Sequence, residues 1–211
     1  CWGRNYQIGY GGGNLYTTAP KSTAVNLGSG RTAKSVSSTF EHTCVILDDD
    51  TVKCWGFGSG GQLGYGNNNL AYSPPSSTVN LGMGVTSISV GHFTSCAILT
   101  NGGVKCWGIN SKGQVGDGTT TARSSPVDVD LGTGFTAKMV SVGYSSVCAV
   151  LNDDSIKCWG SNQYGEFGAG NQLPSADNLP TSTALPAGLT AKSVSTSATT
   201  VTYGFVCAVM N

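Results

Sequence analysis

The sequence predicts an all-β protein built from repeats, and two observations support this. The first is a 13-residue segment, residues 44–56, that recurs as residues 96–108 and 148–160. The second is composition, because 31 glycines in 211 residues and only 10% charged residues are typical of short strands joined by tight turns. The Cys-Trp-Gly triplet that closes each segment recurs at intervals of 53, 52 and 52 residues, which indicates a repeat architecture, at Cys1, Cys54, Cys106 and Cys158.

Each copy of the segment is predicted to be a β-hairpin. A short apolar run, a polar turn and a second β-prone run follow one another without room for a helix. Cys44 and Cys54 are equidistant from Asp49, so Val45 should pair with Lys53 and the cysteines should face each other. Opposed Cβ atoms lie about 5 Å apart, close to the ~4 Å that a disulfide needs. The predicted bridges are Cys44–Cys54, Cys96–Cys106 and Cys148–Cys158.

A metal site is the alternative interpretation of these cysteines and of the acidic triplet at residues 48–50. Zinc ligands come as closely spaced cysteines, unlike two cysteines separated by a strand, a turn and a strand. In the next copy Thr100, Asn101 and Gly102 replace the acidic triplet, and these residues share a turn preference with Asp but not its ligand chemistry. We therefore predict turns and disulfides, with no metal and no cofactor.

Charge and cysteine content restrict the partner and the compartment. The formal net charge is zero, whereas a nucleic-acid binder normally has a basic excess. No run of 18 apolar residues is present, so membrane insertion is not expected. Eight cysteines, six of them in hairpin register, favour an oxidising compartment, and we expect a secreted or cell-surface protein. A cytosolic protein with buried thiols is the alternative.

The remainder of each repeat supplies two more strand signals. A glycine-rich stretch follows each hairpin, then a variable loop with a proline. A β-prone Val-x-Leu stretch comes next (residues 25–28, 79–82 and 129–132), and a last strand signal precedes the following hairpin (residues 87–91 and 139–143). About four short strands per unit are predicted. The fourth unit has extra residues, which we place as a surface loop at residues 195–202.

Residues 108–118, Gly-Ile-Asn-Ser-Lys-Gly-Gln-Val-Gly-Asp-Gly, and the pair His42-Thr43 resemble the regulator-of-chromosome-condensation repeat. The resemblance covers the whole chain in four copies. It implies a β-propeller, normally of seven blades. The even repeat spacing predicts that residues 1–211 form one domain without a linker. The chain differs from the family in its hairpin cysteines and in having four units, so a part of a longer, seven-bladed array is the alternative to a four-repeat propeller.

The sequence predicts no enzyme. His42 is replaced by Thr94 and Ser146 in the equivalent positions, which indicates a structural hydrogen-bonding role. Residues 56–61 match the dinucleotide fingerprint, but no helix is predicted after them. Glu41 and Glu166 are the only glutamates, and a glycosidase built on paired carboxylates stays open as an alternative.

The four tryptophans all lie in the Cys-Trp-Gly triplets. Their regular recurrence predicts a repeated packing role, against the disulfide or against the neighbouring blade. A ring of aromatic side chains that stacks on sugars is the alternative, and a glycan partner would follow from it. The residues are Trp2, Trp55, Trp107 and Trp159.

The resemblance implies a protein-binding module that uses its inter-strand loops, because relatives include a nucleotide-exchange factor for a small GTPase, chromatin-binding proteins and a secreted β-lactamase inhibitor. A self-associating structural subunit of an extracellular filament or coat is the second hypothesis. A carbohydrate-binding module and a nuclear exchange-factor role are further alternatives, and the cysteines fit the nuclear role poorly.

The two ends of the chain carry the halves of one more hairpin. Residues 207–211 match its first strand, and residues 1–3 match its second. We expect Cys1 to pair with Cys207, so that both termini complete one blade, because an unpaired edge strand invites association. Pairing with further units of a longer array, or with another chain, is the alternative.

Overall fold

The computed structural model describes residues 3–11, 16–17, 19, 21–170, 177–197 and 204–211. Within these ranges the regular secondary structure consists of β-strands and one four-residue helix. In chain order the elements are β1 (Gly3–Arg4), α1 (Asn5–Ile8), β2 (Tyr16–Thr17), β3 (Ala33–Ser38), β4 (His42–Leu47), β5 (Val52–Gly56), β6 (Val85–Val90), β7 (Thr94–Leu99), β8 (Val104–Gly108), β9 (Arg123–Val129), β10 (Ala137–Val142), β11 (Ser146–Leu151), β12 (Ile156–Gly160), β13 (Asp177–Ser182), β14 (Ala191–Thr196) and β15 (Val206–Met210).

The strands form antiparallel sheets in which neighbours in the chain are neighbours in the sheet, and each sheet is a propeller blade or a part of one. Blade 1 contains β1 and β2, blade 2 contains β3 to β5, blade 3 contains β6 to β9, blade 4 contains β10 to β13, and blade 5 contains β14 and β15. The Cys-Trp-Gly triplet lies on the third strand of blades 2, 3 and 4. A sequence unit therefore ends one blade and begins the next, and the blade count fits a partial propeller.

The hairpin prediction is confirmed by the register of the second and third strands. Cys44 lies opposite Cys54 and Val45 opposite Lys53, and the other two hairpins have the same register. The turn that joins these strands places one residue in the left-handed region, with φ of 63° at Asp50. Glycine has this conformation in the second copy and aspartate in the third, which explains why Asp and Gly exchange there.

The prediction of strands at residues 25–28 and 79–82 is wrong, and residues 129–132 are in a strand only at Val129. The fourth strand lies earlier, as β9 in blade 3 and β13 in blade 4. In blade 2 the equivalent segment pairs with β5 only at Ala71 and at Val79, whose N–H donates to Val52 O at 2.8 Å. Pro74 and Pro75 lie between these contacts, and proline has no N–H for a ladder.

The extra residues of the last unit were predicted to begin at Ser195, and this boundary is wrong. Ser195 and Thr196 belong to β14, where they lie opposite Cys207 and Val206. The insertion therefore follows the first strand of blade 5. Residues 198–202 of the predicted loop lie outside the described residues.

Neighbouring blades are held together through their first two strands, as in the contacts of β4 with β6 and of β7 with β10. A serine on each first strand also accepts a hydrogen bond from a backbone N–H of the next first strand. Ser37 Oγ lies 3.1 Å from Val90 N, and the same bond recurs between blades 3 and 4 and between blades 4 and 5. Apolar clusters fill the space between blades, and one contains Leu63 and Leu81 of blade 2 with Leu99 of blade 3.

Candidate functional site

Three cysteine pairs are buried inside blades 2, 3 and 4. Their Cα atoms lie 4.1 Å apart in each pair, and their Sγ atoms are at bonding distance. Cys207 lies exposed on β15 and has no disulfide partner among the described residues. β1 pairs with β2 and β15 pairs with β14 in two separate sheets, so the described residues do not show the shared terminal blade that the sequence predicted. Cys1 lies outside the described residues, so its pairing with Cys207 stays a prediction. The bonded pairs are Cys44–Cys54, Cys96–Cys106 and Cys148–Cys158.

The tryptophans of blades 2, 3 and 4 are packed between blades. Each indole Nε1 donates to a backbone carbonyl of the preceding unit, as Trp107 does to Gln62 O at 2.8 Å. Trp55 and Trp159 make the same bond to the two other equivalent glutamines. None of the three is more than 1% exposed, so none offers a ring face to a sugar, and the stacking alternative is wrong for them. Trp2 lies outside the described residues.

The glycine-rich stretch gives each tryptophan its place. Gly64 has φ of +81°, and a Cβ atom there would come 2.8 Å from Trp107 Nε1. Gly116 has φ of +77° and would come 2.7 Å from Trp159 Nε1. A side chain at either position would strain the backbone and displace the indole, so these glycines allow the close contact of successive blades.

The antiparallel order of the strands gives the propeller two different faces. One end of each blade has the loop between its first two strands and the segment after its third strand. We call this end the loop face, made of residues 39–41, 57–72, 91–93, 109–122, 143–145, 161–170, 197 and 204–205. The N–H groups of Phe57, Ile109 and Ser161 donate to the carbonyls of the adjacent first loops at 2.8–2.9 Å, which holds the two parts of the face together.

The opposite end, which we call the turn face, consists of the hairpin turns and the connections between blades (residues 48–51, 80–84, 100–103, 130–136, 152–155 and 183–190). It is bordered by ion pairs. Lys34 lies 2.7 Å from Asp50, and Lys138 makes the equivalent contact with Asp154 at 2.7 Å. Arg31 contacts the acidic turn as well. Most of these side chains are well exposed, so the turn face carries hydrated charges, beside the exposed apolar side chains of Met83 and Leu189.

The loop face is aromatic. All of the large exposed aromatic side chains among the described residues lie on it, between 37% and 63% exposed. Loops of neighbouring blades touch each other here, since the rings of His92 and Tyr144 lie 4.8 Å apart. No motif identified these side chains from the sequence, because they lie in variable loops. They are Phe40, Phe57, Tyr72, Tyr144, Tyr164 and Phe205.

His42 lies beneath this face and His92 lies within it, and burial lowers the pKa of both. Burial, with a smaller contribution from His92, lowers the pKa of His42 from 6.5 to about 3. His42 Nε2 lies 2.7 Å from Ser95 Oγ, and the ring is fully buried. Burial also lowers the pKa of His92, although Glu41, at 3.8 Å, raises it in part. A fully buried His42 has a hydrogen-bonding role and no access to a substrate.

A cavity of about 380 Å³ opens on the loop face where blades 3, 4 and 5 meet. Phe93, Tyr144 and Tyr164 form apolar parts of its wall, and Lys112 and Glu166 are its charged lining residues. Glu166 is only 7% exposed. From the sequence, Glu166 is a candidate only as one of the two carboxylates of a glycosidase.

The described part of the chain contains no group of three or more His, Cys, Asp or Glu side chains that could together hold a metal ion. No helix in the described ranges is long and apolar enough to cross a bilayer. The aromatic loop face and the cavity within it are therefore the features that we consider as a functional site.

The sheets, their order and the packing of their first strands define a β-propeller repeat protein. Two models described as "Regulator of chromosome condensation (RCC1) repeat" match the chain, one at residues 33–62, 85–114 and 138–166 and the other at residues 49–98 and 101–150. The chain belongs to the RCC1 repeat family.

Curated relatives are longer than this chain. The chain is 30% identical over 174 residues to the ultraviolet-B receptor UVR8 of Arabidopsis thaliana. This alignment covers 81% of the chain and 39% of UVR8. It is 31% identical over 150 residues to the probable E3 ubiquitin-protein ligase HERC6 of Homo sapiens, with 70% of the chain and 15% of HERC6 covered. The chain thus spans less than two thirds of either relative.

Solved structures share the fold. Human WBSCR16 superposes with a TM-score of 0.78 at 22% identity, over 92% of this chain and 50% of that one. Yeast RCC1 (Prp20), solved with Kap60, superposes with a TM-score of 0.63 at 18% identity, over 81% of this chain and 41% of that one. At these identities the likeness shows the propeller architecture alone.

Proposed function

We propose that this chain is a non-enzymatic module that binds a protein partner through its loop face. The observation that carries this proposal is the separation of side-chain types between the faces. Exposed aromatic residues lie on the loop face, whereas the turn face is bordered by ion pairs. Aromatic residues are enriched and charged residues depleted in the cores of protein interfaces, and aromatic anchors contribute most of the binding energy.

Proteins of the same fold bind protein partners, which is consistent with this proposal. Among the solved RCC1 neighbours, yeast RCC1 (Prp20) is bound to Kap60, and Prp20p of Saccharomyces cerevisiae has binding properties to Gsp1p and histones. The RCC1 repeats of this chain support an interaction role of the same general kind. The identity of its partner is a separate question, because those structures share only the fold with this chain.

An extracellular setting is part of the proposal. Three buried cysteine pairs at bonding distance are stable in an oxidising compartment, whereas cytosolic thiols are kept reduced. We therefore expect the partner to be an extracellular or cell-surface protein. Mass spectrometry of the protein isolated from its native source, with free thiols alkylated first, tests this setting, and alkylation of the six hairpin cysteines would contradict it.

A capture experiment with two matched variants tests the binding face. In the loop-face variant Phe40, Tyr144 and Phe205 are replaced by serine, and in the turn-face variant Lys138 and Asp154 are replaced by serine. We expect the wild type and the turn-face variant to retain the same extracellular protein, and the loop-face variant to lose it. Equal capture by all three, with unchanged circular dichroism, would refute the loop face as the binding site.

A further inference from the structure

We propose that the loop-face cavity binds a guanidinium or ammonium group, supplied by an arginine or lysine side chain of the partner protein, against the carboxylate of Glu166. This inference rests on the proposed function and deepens it, because it names the chemistry that one part of the loop face recognises. Three features support it: Glu replaces Gln in one repeat, Glu166 has no ion-pair partner among the described residues, and aromatic side chains line the cavity.

The first feature is a substitution that the fold does not need. The glutamine of the glycine-rich stretch accepts a hydrogen bond from the backbone N–H two residues earlier, as Gln62 Oε1 does from Gly60 N at 2.8 Å. Gln114 makes the same bond at 2.7 Å. Glu166 Oε2 makes it with Tyr164 N at 2.8 Å. One side-chain oxygen performs the structural role in all three, so the exchange to Glu alters only the second terminal atom.

That second atom changes from an amide donor to a carboxylate acceptor. Oε1 of Glu166 lies 3.4 Å from Ser161 Oγ, at the limit of a hydrogen bond. At Gln62 the corresponding Nε2 is buried without a hydrogen-bond partner. Blade 4 therefore presents an acceptor oxygen with unused capacity where blade 2 presents a donor.

The second feature is the lack of a countercharge. Among the described residues no Lys, Arg or His makes an ion pair with Glu166, although this residue is only 7% exposed. A buried charge loses its hydration and is stabilised when an opposite charge is supplied with good geometry. A cation that enters the cavity would supply that charge.

The third feature is the wall of the cavity. Phe93, Tyr144 and Tyr164 line it together with the hydroxyl groups of Ser145 and Ser146. A guanidinium group stacks on aromatic rings and donates hydrogen bonds to carboxylates and hydroxyls at the same time. The volume of about 380 Å³ lies in the range of about 300–1,000 Å³ that is typical of ligand pockets.

Among the described residues that line this cavity, Lys112 is the one other charged residue, and it opposes a cation. Its side chain is exposed, whereas Glu166 is buried. An exposed ammonium group is hydrated and screened by salt, so its repulsion is weaker than the attraction of the buried carboxylate. Removing its charge with Lys112→Gln should therefore strengthen cation binding.

The test uses small probes and nuclear magnetic resonance of the ¹⁵N-labelled chain. Nα-acetyl-arginine N-methylamide is the cationic probe, and the equivalent citrulline compound is its neutral isostere. The Tyr164 amide is the reporter, because it donates to Glu166 Oε2. We expect a saturable shift of this signal with the arginine probe, in the millimolar range for so small a ligand. The citrulline probe should give none.

Glu166→Gln is the matched variant, because Gln is already present at the equivalent positions in folded repeats of this chain. It should weaken the arginine probe by about tenfold, the loss expected for a hydrogen bond to a charged group. Lys112→Gln should strengthen binding, and added salt should weaken it in the wild type. Equal shifts with both probes, an unchanged affinity in Glu166→Gln, or weaker binding in Lys112→Gln would each overturn the proposal.

The outcome is distinguishable from failure of the proposed function. If the loop-face serine variant loses its partner while Glu166→Gln retains full affinity for the partner and the arginine probe, the cation pocket is refuted and the loop face stands. If capture is unaffected in the loop-face variant while the arginine probe responds as expected, the pocket stands as a cation site and the wider face is refuted.

Discussion

Replacing His42 with threonine should change how the stability of the protein depends on pH. Threonine occupies the equivalent position in blade 3, as Thr94, so the backbone accepts it. Burial lowers the pKa of His42 from 6.5 to about 3, which means that the unfolded chain binds a proton in a range where the native protein does not. Protonation then favours the unfolded state, and stability falls as the pH drops from 6.5 towards 3.

The magnitude follows from this difference in pKa. Each pH unit within the window costs about 1.4 kcal/mol, so between pH 7 and pH 5 the free energy of unfolding should fall by about 2 kcal/mol through His42 alone. Carboxylates with lowered pKa, such as Asp117, titrate below this range and contribute little to the difference. Burial also lowers the pKa of His92, so the second histidine acts in the same direction.

Urea unfolding at pH 7, 6 and 5, under non-oxidising and non-reducing conditions, measures the effect. The wild type should lose about 2 kcal/mol more than His42→Thr over this range. At pH 7 the variant should be less stable than the wild type by about 1–3 kcal/mol, because it loses the bond to Ser95 and leaves a smaller side chain in the core. This deficit should shrink by about 2 kcal/mol at pH 5. His92→Tyr, with the residue found at Tyr144, is the control and should keep the His42 contribution.

Parallel stability curves for the wild type and His42→Thr would refute the reasoning. They would mean that the imidazole is protonated as readily in the native protein as in the unfolded chain. The lower stability of the variant at pH 7 does not affect this conclusion, because only the difference in slope between the two curves measures the titration of His42. If the pH dependence of stability is lost in His92→Tyr and retained in His42→Thr, the effect belongs to His92 and not to His42.

Three further predictions concern stability and covalent structure. Gly64→Ala should destabilise the protein by about 1 kcal/mol more than Gly82→Ala. Both glycines have positive φ, but only at Gly64 would a Cβ atom contact an indole, that of Trp107. Equal losses of stability in thermal unfolding would contradict this. Trp107→Phe should cost about 1–3 kcal/mol, since the indole N–H bond to the preceding blade is lost and its carbonyl acceptor stays buried, and unchanged urea unfolding would argue against that bond. Peptide mapping without reduction should recover the three hairpin disulfides, each worth about 2–3 kcal/mol, and a peptide that joins Cys1 to Cys207; free thiols at both termini would reject the terminal pairing.

The hairpins could be read from the sequence because their geometry is local. A turn of fixed length places Cys44 opposite Cys54, and the alternation of side chains along a strand puts both cysteines on the same side of the sheet. Whether Asp50 or Gly102 fills the left-handed position of the turn makes no difference to the register. Local rules of this kind depend on a dozen neighbouring residues, all of which the sequence displays.

The fourth strand could not be placed from the sequence, because its apolar pattern reports burial and not pairing. Val79 and Leu81 are buried between blades, as their pattern indicates, yet they lie outside any strand. Whether this segment forms hydrogen bonds along the whole neighbouring strand depends on the prolines near it and on how the third strand of the blade is placed. These are relations between segments that are distant in the chain.

The sequence by itself determined the repeat, the register of the hairpins and the recurring place of each tryptophan, because each follows from spacing within about 50 residues. Only the tertiary structure decided that Phe40, Tyr144 and Phe205 share one face, since they come from the loops of three blades. It also decided the meaning of Glu166. The replacement of Gln by Glu is visible in the sequence, but a carboxylate matters there because the packing of three blades removes it from water without an ion-pair partner among the described residues.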